Sequence, residues 1–160
     1  MAQNNWTGKY FTLYEMTQSP TARRLHINNT ATDKVANNLL ELVTNVLDPL
    51  RLAWGHPIVV TSGYRCPKLN KAVGGATNSQ HQYGQAADIR TVSDHPDDNM
   101  RLLQCLLELN LPFDKLIAEY VDGQGRPDWI HVSYSQQKRG IKLTCKGGKY
   151  YNGIKTIKKK

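Results

Sequence analysis

His81 stands seven residues before Asp88 in the segment Ser79-Gln80-His81-Gln82-Tyr83-Gly84-Gln85-Ala86-Ala87-Asp88, and His131 stands three residues after Asp128 in Asp128-Trp129-Ile130-His131. In an unbroken strand, side chains an odd number of residues apart point to opposite faces, so His81 and Asp88 converge only if Gly84 interrupts the alternation. The small pair Ala86 and Ala87 leaves room for a dense cluster beside Asp88. Taken alone, this segment reads equally as a hydrogen-bonded loop histidine followed by a strand-end aspartate. His131 changes the balance, because it is a polar residue in an otherwise apolar run, although a lone strand histidine is more often structural. Two histidines and one aspartate make the three-ligand set that zinc uses in catalytic sites, with a fourth position open to water. Such a set leaves the ion a net positive charge that acidifies bound water, and a neighbouring carboxylate such as Asp128 is a candidate to hold the proton.

These residues need a frame. From Asp33 to Trp54 the apolar positions Val35, Leu39, Leu42, Val43, Val46, Leu47, Leu50 and Leu52 approximate a 3.6-residue period, with Thr32 or Asp33 as N-cap and Gly55 as stop. Asp48-Pro49 predicts a kink or a fresh helix start there. A second helix is expected from about Asp97 to Leu109, with Met100, Leu103, Leu106 and Leu107 on its apolar face. Strands are expected at Phe11–Tyr14, Ile58–Thr61, Ala86–Ile89, Leu116–Tyr120 and Trp129–Tyr134, with a turn around Ser19-Pro20 and Lys142–Cys145 pairing behind Trp129–Tyr134. Helices first and then mostly strands predict an α+β fold: a single domain over residues 1–160 in which helices pack on an antiparallel sheet.

The pattern Ser79-x-His81-x-x-Gly84-x-Ala86-x-Asp88 followed by Asp128-x-x-His131 resembles the zinc D-Ala-D-Ala carboxypeptidase and L-alanyl-D-glutamate endopeptidase family. That family cuts peptidoglycan stem peptides and shares its fold with the hedgehog signalling domain. Thr61-Ser62-Gly63-Tyr64-Arg65-Cys66-Pro67 and Leu69-Asn70-Lys71-Ala72-Val73-Gly74-Gly75-Ala76 are similar to it too, so the resemblance runs from about Phe11 to Tyr134 and is strongest to short single-domain bacterial and phage-type members. It implies His81, Asp88 and His131 as zinc ligands, Asp128 as general base, and Arg65 as the group that stabilises a developing oxyanion or binds a substrate carboxylate. Chemistry agrees on Arg65, since a permanently charged guanidinium suits charge forming on an attacked carbonyl; a surface arginine after a strand is the plainer reading. Ser79 is expected to support a ligand or touch substrate, and Tyr83 to line the cleft beside His81. Many relatives carry Glu where this chain has Asp128, although Asp also serves there in endopeptidase-like members and is compatible with activity; Glu119 is the reserve candidate for the base, with an edge-strand surface carboxylate as its plainer reading.

Composition bounds these expectations. The 160 residues are 39% hydrophobic and 21% charged, a globular balance without a run long enough to span a membrane. Cys66, Cys105 and Cys145 form no CxxC pair and read as reduced thiols. His26, His56 and His95 have no partner spacing and are assigned to loops. The formal net charge is +8, and Lys138–Lys160 holds nine Lys or Arg with no acidic residue, which fits a solvated tail or last hairpin, or attraction to anionic cell-wall polymer. No nucleic-acid-binding signature accompanies the charge, so no specific nucleic acid is expected. No secretory signal is visible at Met1-Ala2-Gln3-Asn4, which predicts cytoplasmic accumulation and action at the wall after release through a separate pore. The leading expectation is a zinc metallopeptidase of the peptidoglycan, of lysin or wall-remodelling type. Its competitor is a non-catalytic zinc-containing wall-binding module, which would need neither base nor Arg65.

Overall fold

A computed structural model describes residues 5–155. The first four residues, on which the signal reading rests, and the last five, with Lys158, Lys159 and Lys160, lie outside the described residues.

The chain opens with two short helices, α1 (Leu13–Thr17) and α2 (Pro20–Arg24). The first replaces the strand expected at Phe11–Tyr14. Thr12-x-x-Glu15 is a helix-start signature, and the Thr12 hydroxyl accepts the Glu15 backbone N–H at 3.1 Å. Ser19 caps α2 in the same way, with Pro20 at its first position. The long apolar period then forms α3 (Asp33–Leu42), one wide π turn (Val43–Leu47) and α4 (Asp48–Trp54), ended by Gly55 in the left-handed conformation. The widened turn accommodates Pro49, which has no N–H to donate to the helix ladder. Asp48 does not cap α4. Its carboxylate instead accepts the backbone N–H groups of Lys9 and Tyr10, tying down the N-terminal arm.

Six strands form one sheet in the order β1-β2-β4-β3-β5-β6: β1 (Ile58–Ser62), β2 (Ala86–Thr91), β3 (Lys115–Glu119), β4 (Trp129–Ser133), β5 (Ile141–Lys146) and β6 (Lys149–Asn152). Between them lie α5 (Pro67–Ala72), a 3-10 turn (Gln80–Tyr83) and α6 (Asp98–Glu108). Mixed helix and sheet in a single unit agree with the expected α+β class. All pairings are antiparallel except β3 with β5. The segment expected to pair behind β4 cannot reach it, because β2 and β3 already occupy both of its edges. It adds to the free edge of β3, and Lys115, opposite Ser133 on one side and Ile141 on the other, sets its register.

Strand alternation divides the sheet chemically. Ala87, Ile89, Leu116, Ala118, Ile130 and Val132 join Leu39, Leu42, Val46, Leu50, Leu103 and Leu106 in one buried core. The alternate residues, Asp88, Ile117, Glu119, Trp129, His131 and Cys145, therefore share the other face. His26, His56 and His95 lie outside helices and strands, and none of the three cysteines is in a disulfide. No helix among the described residues is long and apolar enough to cross a membrane.

Candidate metal centre

Asp88 and His131 are direct partners across β2 and β4, which presents both side chains on the face turned away from the core. His131 Nδ1 lies 3.1 Å from Asp88 Oδ1. His81 comes from outside the sheet. Ser79 begins its 3-10 turn by accepting the His81 backbone N–H at 3.3 Å, and Gly84 ends it at φ +71°. A Cβ at Gly84 would also stand 2.7 Å from the Val35 carbonyl oxygen, so both conformation and space call for glycine. This is the interruption that lets residues seven apart converge: His81 Nε2 lies 3.3 Å from Asp88 Oδ1.

The two imidazoles meet edge to face with ring centroids 5.1 Å apart. The ring of His81 is oriented by a 2.7 Å bond between Nδ1 and the Gly63 carbonyl, which places the proton on Nδ1 and leaves the Nε2 lone pair facing Asp88. Gly63 itself cannot carry a side chain, because a Cβ there would collide with the Met16 carbonyl. Burial raises the proton affinity of Asp88, but the hydrogen bond with His131 and the two neighbouring imidazoles more than reverse that effect, so its carboxyl stays well below the usual range.

The donors fit zinc. His81 Nε2 is buried and makes no hydrogen bond of good geometry, although it approaches Asp88. One donor atom from each of His81, Asp88 and His131 falls within 4.8 Å of the others. Tetrahedral zinc with bonds of about 2.0–2.1 Å separates its donor atoms by about 3.3 Å, close to the spacings of both nitrogens from Asp88 Oδ1.

Three further groups face this cluster or support it. Arg65, just after β1, donates its backbone N–H to the His81 carbonyl, and its guanidinium carries a buried Nε with no hydrogen-bond partner among the described residues. Burial lowers its proton affinity while the charge of Asp88 opposes the change, so the cation is held near that carboxylate. Glu119 is only 6% exposed, on the same face as His131 and diagonal to it. Burial raises its proton affinity, His131 lowers it, Asp88 raises it and Cys145 lowers it, for a net increase. Gln80 reaches Asp114, which is fully buried and clasped by Arg139.

The remaining expected residues are placed differently. Asp128 is exposed; its backbone N–H donates to the Glu119 carbonyl and its carbonyl accepts from Asn99. Asp128 lies at a bend just before β4, outside the strand, and is not one of the closely grouped donors His81, Asp88 and His131. Tyr83 is exposed, and its backbone carbonyl accepts the Asn38 side-chain amide. Ser79 acts through the turn that carries His81. The burial of Glu119 was open to sequence reasoning through parity, since residues two apart on β3 share a face. The partnership of Asp114 with Gln80 and Arg139 was not, because it joins three segments distant in sequence. A groove of about 800 Å³ bordered by Met100, Ala118, Thr144 and Tyr151 lies on the core side of the sheet, and none of the trio lines it.

A metal-binding trio on an α+β sheet, braced by an adjoining turn and flanked by an arginine and a buried glutamate, narrows the class. The chain belongs to the Peptidase M15 family, whose model matches residues 9–133 and so takes in the whole trio, Arg65 and Glu119. It is also similar to the zinc D-Ala-D-Ala carboxypeptidase of Streptomyces albus G, with 50% identity over 44 residues. That match covers 27% of this chain and spans 17% of that protein's length.

Proposed function

We propose that this chain is a zinc metallopeptidase that hydrolyses peptidoglycan stem peptides, of D-Ala-D-Ala carboxypeptidase or L-Ala-D-Glu endopeptidase type, acting as a wall lysin. The observation that carries the reading is the approach of His81 Nε2 and His131 Nδ1 to one oxygen of Asp88, with Glu119 buried on the same face. Family membership supports peptidase chemistry, and the name of the similar Streptomyces enzyme supports the metal and the substrate class.

His81, Asp88 and His131 hold the metal. Zinc, when bound, supplies a Lewis acid that polarises a carbonyl and acidifies water. Glu119 takes the proton from the attacking water and returns it to the leaving amine; its raised proton affinity brings it closer to the working pH, as such a role requires. Arg65 offers fixed positive charge, and the unpartnered Nε, to the oxygen or carboxylate of the substrate. Asp128, the base implied by resemblance, is the competing candidate, exposed at the bend that leads into β4, whereas Glu119 is enclosed on the face of His131. Exposed Lys142, Lys146 and Lys149 on the β5–β6 hairpin draw the enzyme to anionic wall polymer.

The test pairs Glu119→Gln with Asp128→Asn on zinc-loaded protein. Glu119→Gln should lower kcat by about two to four orders of magnitude while zinc stays bound, and Asp128→Asn should stay within about threefold of the parent. The opposite ranking would return the base to Asp128. Zinc binding without hydrolysis of any wall substrate would favour a binding module.

A further inference from the structure

The part of the site face beyond Glu119 carries an arrangement the proposed chemistry does not use. Tyr120 follows Glu119 with φ at 47°, a left-handed conformation that is costly for a bulky side chain and is found where a site constrains the backbone. Its ring stacks on Trp129, with centroids 5.2 Å apart and planes 27° from parallel, while the residue stays 51% exposed. Trp129 is two residues from His131 on one strand, so the stack begins about 7 Å along the chain from a candidate metal ligand. Tyr150 pairs with Cys145, one residue beyond the Ala118–Thr144 pair that aligns β3 with β5. Trp129, Glu119, Cys145 and Tyr150 thus form one row across four strands. Tyr150 is 58% exposed at the end of that row.

We infer that Trp129, Tyr120 and Tyr150 form a platform for an uncharged N-acetylated sugar ring of the wall glycan, adjoining the peptide-cleaving centre. The inference rests on the peptidase reading for its choice of polymer, and on the surface itself for the class of ligand. Trp129 and Glu119 stand on β4 and β3, each paired on both edges, so at that end the face presents side chains and no free backbone; only β6, which carries Tyr150, is an edge strand. What the platform offers is ring faces and two phenol groups. The lysines of the hairpin do not share this face: Lys142 and Lys146 alternate with Leu143 and Cys145, and Lys149 precedes Tyr150. Burial, reinforced by Glu119, Cys145 and Tyr120, pushes the Tyr150 phenol up to about 12, so it remains a hydrogen-bond donor at any working pH. A flat apolar ring face with polar groups at its margin complements a pyranose, which has C–H groups on its face and hydroxyl and acetamido groups at its edge. Tyr150 lies beyond the residues matched by the family model, so this part of the platform belongs to the hairpin that follows them.

The experiment is calorimetric titration of the full chain with tetra-N-acetylchitotetraose, an uncharged N-acetylglucosamine oligomer. It uses the parent, Tyr150→Ala, Tyr150→Phe and Tyr120→Ala, each checked for folding by circular dichroism, with and without zinc. Saturable binding by the parent is expected, weakened about tenfold or more by Tyr150→Ala and Tyr120→Ala and less than threefold by Tyr150→Phe, which keeps the ring. No saturable binding by the parent, or equal binding by both alanine variants, overturns the inference. Sugar binding without hydrolysis defeats the peptidase reading alone, and hydrolysis without sugar binding defeats the platform alone.

Discussion

Gln80 donates its side-chain amide to Asp114 at 3.0 Å, one residue before His81, and so fastens the turn carrying a candidate metal ligand to the start of β3. Asp114 is 0% exposed and also receives Arg139 Nε at 2.9 Å and Nη2 at 2.7 Å. Asp114→Ala leaves Gln80 and Arg139 without their partner. It should cost about 1.5–3 kcal/mol of stability in urea unfolding, the range for hydrogen bonds to a charged group, and weaken zinc binding by about 10- to 100-fold. The Arg139 hydrogen bonds, reinforced by Gln80, hold the Asp114 carboxyl well below its usual range. A carboxyl with a depressed folded value stabilises the protein fully above the unfolded value of about 3.9 and loses that contribution as pH falls below it. The parent should therefore lose more stability than Asp114→Ala on acidification below about pH 4. Equal acid sensitivity of the two proteins would deny Asp114 this part.

Removing one ligand from the trio leaves two donors, too few to hold zinc in a catalytic geometry. Metal analysis after gel filtration should find about one zinc per parent chain and far less in His81→Ala and His131→Ala. Ser79→Ala loses only the cap of the turn, so it should keep zinc with affinity lowered by less than tenfold, about 1 kcal/mol for a lost cap. Full zinc in both histidine variants would show that the trio is not the metal site.

Lys142, Lys146 and Lys149 are exposed and make no ion pair among the described residues. Attraction of such charges to an anionic polymer weakens as the Debye length shortens from about 10 Å at 0.1 M salt toward 3 Å at 1 M. Changing all three to glutamine should reduce wall binding at low salt and make little difference at high salt, as measured by sedimentation with purified walls. Equal pelleting of parent and variant throughout the salt series would remove the hairpin from wall targeting.

Much of this molecule was legible in its residues because local signals and tertiary packing agree. The apolar period from Val35 to Leu50 became buried helix, and the β-branched and small-residue runs at Ile58, Ala86 and Trp129 became strands. Gly84 was readable as the break that joins His81 to Asp88. At Phe11–Tyr14 a short apolar run concealed the Thr12–Glu15 cap, and there the cap decided the structure. Asp128 and Glu119 were both readable as candidate bases, the first by resemblance and the second as a reserve, but resemblance says nothing of their burial, which leaves Asp128 exposed and Glu119 enclosed. The parallel pairing of β5 with β3 and the clasp on Asp114 depend on which strand edges remain free, and no stretch of sequence read by itself carries that.

The central claim is that this trio makes a zinc peptidase of the peptidoglycan stem. Mass spectrometry of purified peptidoglycan, incubated with zinc-loaded and with zinc-stripped protein, tests it most directly. The zinc-loaded protein should release shortened stem peptides with new termini at a single type of bond, and stripping the metal should abolish the release until zinc is restored. Stem peptides left intact by fully zinc-loaded, folded protein, or cleavage that proceeds equally without the metal, would contradict the account.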